Sequence, residues 1–203
     1  MPRVVPEYRE EAKARILKAA EQVFAKKGYH QATMDDIAKT IGVSRGAVYQ
    51  YFRNKEELFE ERCKTHARDL EKTLHSTFTG GDLLRVAELF FNELEERTAG
   101  RTELLEALAE APRNKAIKKV LQESYSRNQD IIVRFLEKLE EERTLRRNLD
   151  TTLIARLLMA MADGILMSML RGLDKSEARK VWIEGLRFVA LAIVGKRIGQ
   201  ANK

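Results

Sequence analysis

Apolar residues recur every three or four positions along almost the whole chain, and nowhere do they alternate in the strict two-residue rhythm of a strand. An all-α fold follows. Ala12, Ile16, Ala19, Ala20, Val23 and Phe24 form one stripe on a helix over about residues 7–27, which Gly28 closes. The pattern then shortens to two brief helices within residues 33–55, TMDDIAKTIGVSRGAVYQYFRNK. Thr33 and Asp36 make a Thr-x-x-Asp capping box, Ile37, Ala38 and Ile41 supply a buried stripe, and Gly42 lets the chain reverse. Ser44 caps the second short helix.

Longer helices come next. One runs over about 55–77 behind an Asn54 cap, with Glu56 and Glu57 in its first turn. After Gly80-Gly81, Asp82 caps a helix to about 98, Gly100 breaks it, and 101–110 forms a shorter one before Pro112. The stripe Ile117, Val120, Leu121, Tyr125, Ile132, Phe135, Leu136 and Leu139 marks a long helix over about 113–147. Residues 151–171, closed by Gly172, and a helix from Asp174 and Glu177 to about 195 complete the set.

On the second short helix, Arg45, Gly46, Tyr49 and Gln50 share one face, whereas Val48 and Phe52 fall on the opposite, apolar one. One face packs and the other is free to read. After Asp36 every charge through Lys55 is positive, which leaves the helix's positive dipole end to an external anion, for which a DNA phosphate is the natural candidate. Arg45 suits a base edge, because its fork pairs bidentately with guanine O6 and N7, and Gln50 suits a nearby base or phosphate. Tyr49 and Lys55 suit phosphates.

These residues resemble the tetracycline-repressor-like (TetR) family of transcriptional regulators. The resemblance rests on Phe24, Gly28-Tyr29, Thr33, Ile37-Ala38, Gly42-Val43-Ser44, Tyr49, Phe52 and Lys55-Glu56, and departs mildly at Ile41 and Ala47. It covers roughly the first 60 residues; beyond about residue 75 only an all-helical plan is shared. It implies a three-helix helix-turn-helix DNA-binding domain over 1–55 and a larger helical ligand-binding and dimerisation domain over 56–203. It also implies that Thr33 and Tyr51 meet the DNA backbone, roles that compete with simple capping at Thr33 and with packing beside Phe52 at Tyr51. The candidate DNA contacts are thus Thr33, Ser44, Arg45, Gly46, Ala47, Tyr49, Gln50, Tyr51 and Lys55.

Charge sharpens this picture. Residues 1–55 hold 11 Lys+Arg against 6 Asp+Glu, while the remaining 148 hold 26 against 25, so the basic excess belongs to the N-terminal module. Localised positive charge favours a polyanionic partner for that module. The single cysteine, Cys63, excludes an internal disulfide framework and fits a reducing cytoplasm. No continuous apolar leader opens the chain, and its most apolar stretch, 153–170, is interrupted by Arg156 and Asp163, which points to burial in protein rather than in a membrane.

Enzymatic readings find little support. Residues 42–46 spell G-x-S-x-G, the nucleophile elbow of α/β-hydrolases, with His66 and His75 downstream, but an elbow needs a strand feeding the serine and 35–41 reads as helix. Cys63 and His66 could form half a metal site, yet no second pair with ligand spacing accompanies them. No P-loop or H-E-x-x-H occurs, so neither a catalytic residue nor a metal or other cofactor is expected.

The last two helices are more apolar than one core requires. By resemblance they pair across a two-fold axis into a homodimer interface, with Leu153, Leu157, Ile165, Met169, Val181, Trp182, Phe188, Val189 and Ile193 as candidates. Resemblance also implies a ligand cavity, for which Phe90, Phe91, Leu104, Leu105, Leu108, Tyr125, Met159, Met161 and Met167 supply an apolar lining suited to an acyl chain or a hydrophobic aromatic effector. The expectation is a cytoplasmic homodimeric repressor on a palindromic double-stranded operator. A helical protein-interaction module, binding a partner through the acidic and basic stretch 137–147, is the alternative from another class.

Overall fold

The computed structural model describes residues 6–77, 88–92, 102–142 and 144–194. All named elements are α-helices: α1 (Pro6–Gln31), α2 (Met34–Ile41), α3 (Arg45–Tyr49), α4 (Lys55–Thr77), α5 (Thr102–Glu110), α6 (Lys115–Glu141), α7 (Thr151–Leu170) and α8 (Lys175–Ile193). Residues 88–92 are also helical. The only pairing of strand type among the described residues is an isolated antiparallel bridge between Leu145 and Val194. The expected Gly80-Gly81 and Gly100 breaks, and most of the helix expected over 82–98, lie outside the described residues.

The chain divides into two compact units, residues 1–66 with 99–124 and residues 67–98 with 125–203. In the first unit, Ile16, Ala20, Val23 and Phe24 of α1 pack with Ile37 and Ala38 of α2, Val48 of α3, Phe52, and Leu58 and Phe59 of α4. Ala107 of α5 and Ile117 and Val120 of α6 close the same core. The N-terminal helices therefore share a hydrophobic centre with residues more than fifty positions downstream. Within it, the Tyr29 ring lies 5.6 Å from Phe24 and 5.3 Å from Phe59, in the tilted arrangements that suit aromatic quadrupoles.

Two apolar clusters fill the second unit. Leu70 and Leu74 of α4 meet Ile131, Ile132, Phe135, Leu136 and Leu139 of α6 in one. In the other, Phe91, Ala162, Ile165, Ala178 and Trp182 are buried together, and Phe90 stacks on Trp182 at 5.1 Å. α7 and α8 approach closely at Gly185, where an added Cβ would stand 2.7 Å from Met161 Cε.

α6 ends at Glu141, six residues before the end expected from its sequence, because backbone N–H groups of Thr144 and Leu145 turn back onto the Leu139 carbonyl. That turn drops Leu145 into the core. Asn148, with φ 62°, completes the reversal and donates its backbone N–H to Glu140. Arg146 then donates to the Leu191, Ile193 and Val194 carbonyls, satisfying the C-terminal end of α8.

Candidate nucleic-acid interface

Each short helix of the N-terminal module is set by its caps. Thr33 Oγ1 accepts from the Asp36 N–H at 3.1 Å, while Asp36 Oδ2 accepts from the Thr33 N–H at 3.1 Å and its hydroxyl at 2.7 Å. Lys27 Nζ adds an ion pair with Asp36 Oδ1 at 2.6 Å. The Lys27 hydrogen bond, then those from Thr33, hold the Asp36 carboxyl at about 2 against an ordinary 3.8. At the other end of α2, Gly42 takes the left-handed conformation, φ 72° and ψ 33°, and its N–H reaches the Ala38 and Lys39 carbonyls.

Ser44 caps α3 through the Ala47 N–H at 3.2 Å. α3 is only five residues long and one of its leading N–H groups is already satisfied, so its macrodipole is small and its side chains must carry most of any interaction. Val48 and Phe52 are buried, while Arg45, Gly46, Tyr49 and Gln50 are exposed. Arg45 Nη2 donates to Tyr49 Oη at 3.1 Å, its Cζ sits 5.2 Å from the Tyr49 ring centroid, and its Nε lies 3.6 Å from Asp35 Oδ1. The guanidinium holds its proton more tightly than usual, chiefly through Tyr49 and then through Asp35.

Other candidates occupy different places. Tyr51 is half-buried against the first core, and Ala47 is partly shielded. Lys55 departs most from expectation: its ammonium donates to the carbonyls of Tyr29 at 2.6 Å, Ala32 at 3.1 Å and His30 at 3.2 Å, and lies 4.4 Å from the Tyr29 ring centroid. Desolvation lowers its pKa against the opposing pull of Glu56, Glu110 and Glu106. In this structure the head points inward, so Lys55 clamps the start of α4 to the end of α1 instead of standing ready for a phosphate. The sequence missed this use because the acceptors are backbone atoms, exposed where Gly28 breaks α1 with φ 75° and ψ 166°.

No strand feeds Ser44, since α2 and a left-handed glycine precede it, so the elbow geometry of a hydrolase is absent there. Among the described residues no group of three or more His, Cys, Asp or Glu side chains could hold a metal ion, and Cys63 packs against the first core.

The apolar candidates separate into two sets. Trp182 and Ile165 are buried in their own unit's core, while Met169, Val189 and Ile193 pack against its clusters, so Trp182 and Ile165 are not available to a partner. Leu153, Leu157, Val181 and Phe188 project outward, joined by Leu191, which sequence reasoning passed over. Of the cavity candidates, Phe91 is core, Phe90, Met159 and Met161 pack beside the clusters, and Leu104, Leu105 and Met167 are partly buried. Leu108 and Tyr125 are 47% and 45% exposed. The stretch 137–147 contributes Glu137, Glu140, Glu141 and Arg147, with Asn148, to an open polar groove of about 500 Å³.

Known proteins place this geometry in context. The profile of bacterial regulatory proteins of the tetR family matches residues 16–61, and that of the BetI-type transcriptional repressor C-terminal domain matches residues 81–189. The uncharacterized HTH-type transcriptional regulator YfiR of Bacillus subtilis (strain 168) is 29% identical over 177 residues, 83% of this chain and 85% of its own. The HTH-type transcriptional activator FasR of Mycolicibacterium smegmatis is 37% identical over 97 residues, 45% of this chain and 44% of its own. Among solved structures, the triclosan complex of SmeT, the repressor of the Stenotrophomonas maltophilia multidrug efflux pump SmeDEF, superposes with a TM-score of 0.74 at 24% identity, covering 95% of this chain and 98% of SmeT. With profiles of one family covering both its helix-turn-helix and most of its C-terminal region, this chain belongs to the TetR family of transcriptional regulators.

Proposed function

We propose that this regulator is a cytoplasmic homodimeric repressor, which covers a palindromic operator and lets go when a small, largely apolar molecule fills its C-terminal domain. One observation carries the DNA-reading part: α3 is anchored by Val48 and Phe52 while Arg45, Gly46, Tyr49 and Gln50 face solvent together. Residues 1–55 form the reading domain and 56–203 the dimerising and effector-binding one.

The outward apolar stripes of α7 and α8 support self-association. Leu153 and Leu157 lie on one, and Val181, Phe188 and Leu191 on the other, with Phe188 and Leu191 reaching 71% and 73% exposure. One helix among the described residues, Thr151–Leu170, is long and apolar enough to cross a membrane, but Arg156 and Asp163 project from its exposed side, which suits a protein partner better than lipid. Gly164 on that side has nothing among the described residues within 4 Å of a built Cβ, so none of them requires a residue that weakens a helix, and its open surface admits another backbone. Two-fold pairing would present two copies of α3 to successive major-groove half-sites.

Effector release is supported by the likeness to SmeT, solved with triclosan. Ligand binding would favour a state in which α4 has swung, so that the two α3 helices no longer match their half-sites. FasR, a named activator, favours a second reading in which the bound state promotes transcription.

The test is selection of duplexes from a random pool with the full chain, followed by footprinting on the DNA flanking its own coding region, with and without acyl compounds and hydrophobic aromatics. Enrichment of an inverted repeat that one such compound releases is expected. Sequence-blind, weak binding would favour the interaction-module reading and overturn this one.

A further inference from the structure

Asp35 is the unexpected charge on the reading side. It stands in the first turn of α2, 48% exposed, facing the 64%-exposed Arg45 that opens α3. Its neighbour Asp36 is engaged by Thr33 and Lys27 and builds the helix end, whereas the polar contact that the geometry gives Asp35 is with Arg45. An exposed ion pair adds little to stability. A carboxylate facing a polyanion also weakens binding to every duplex alike. The first turn of a helix favours an acid, which accounts for the charge of Asp35 but not for its approach to Arg45 on the reading side.

Its geometry offers a different account. A loose arginine side chain samples many rotamers, and on a DNA surface its nearest partner is a phosphate, which carries no sequence information. Here the fork is restrained from two helices: Asp35 Oδ1 stands 3.6 Å from Nε, and Tyr49 receives Nη2 at 3.1 Å while its ring centroid lies 5.2 Å from Cζ. Only part of the fork is engaged, so N–H donors remain for an outside acceptor.

We propose that Asp35 is a specificity-determining positioning residue, holding the Arg45 guanidinium against Tyr49 so that it addresses a base edge and resists collapse onto a phosphate. The proposal rests on the DNA-reading function argued above.

Full-length wild type, D35N, D35E, R45A and the double variant D35N/R45A are titrated by fluorescence anisotropy. The duplexes are the one selected for wild type, a scrambled one of equal length, and single-base-pair replacements, each at several KCl concentrations. D35N is expected to bind the scrambled duplex about two- to fivefold more tightly, the size of one exposed charge interaction. Its preference for the selected duplex falls, and the loss concentrates at the base pair that R45A also ceases to read. D35E restores part of that preference, and D35N added to R45A leaves the preference as R45A has it. An unchanged preference in D35N overturns the proposal. So does an equal fall in the R45A background, which would make the effect bulk charge, or a loss at a base pair that R45A still reads, which would make Asp35 a reader itself. A wild type without preference for any duplex sinks both readings, whereas a selective wild type with an unaltered D35N sinks this one alone.

Discussion

Arg45 and Lys55 are both cations of the helix-turn-helix segment, and the structure gives them opposite uses. Arg45 keeps its head at the surface, so Arg45→Ala is expected to cost about 1–3 kcal/mol and to relax one base position, read as affinities for operator variants. Lys55 has its donors on three backbone carbonyls, so Lys55→Met should lower unfolding stability by about 1–3 kcal/mol in urea titrations followed by circular dichroism. Below its unfolding midpoint it should keep the wild-type salt slope, whereas loss of a phosphate contact would reduce that slope by about 1. The sequence placed Arg45 on the outward face because spacing on a helix fixes where a Cβ points. It could not place the Lys55 ammonium, because four rotatable bonds separate that head from its Cβ and its acceptors appear only once the chain has bent at Gly28. Gly28→Ala should be strongly destabilising in thermal melts: its φ of 75° strains any side chain, and a Cβ would meet Glu106, whose carboxylate accepts the His30 N–H.

Helix starts were the most legible elements, since Thr33, Ser44, Asn54 and Asp174 each accept a backbone N–H from the turn that follows. Helix ends were less so. The charged run after Leu139 reads as continuing helix, but α6 stops where Leu145 gains more from core burial than from another exposed turn. α2 carries a pH signature. The Asp36 carboxyl sits at about 2 in place of 3.8, so folding favours its charged form, and that stabilisation is complete above 3.8 and disappears as pH falls through about 2. Asp36→Asn removes it at every pH. The stability gap between wild type and this variant, measured by thermal melts, should therefore be constant at neutral pH and close across that acid window.

At the scale of the whole molecule, the apolar character of α7 and α8 was plain from sequence, but the division of their residues was not. Both helices are apolar around much of their circumference, so periodicity alone could not tell inward Ile165 and Trp182 from outward Phe188 and Leu191. Replacing Phe188 and Leu191 together by glutamate should turn a dimer into a folded monomer in sedimentation, since buried aromatic anchors commonly contribute about 2 kcal/mol or more to an interface. The same variant should lose cooperative binding to an inverted repeat while keeping its helical circular dichroism.

The core that the first three helices share with Ala107, Ile117 and Val120 bears on how such regulators can be recombined. A chimera cut at residue 55 and fused to a foreign effector half would take Leu58, Phe59, Ala107, Ile117 and Val120 out of the core to which Phe24, Ile37 and Val48 belong. Grafts that carry residues 1–66 together with 99–124 should transplant intact, a requirement that binds the two stretches to each other despite the interval of chain between them.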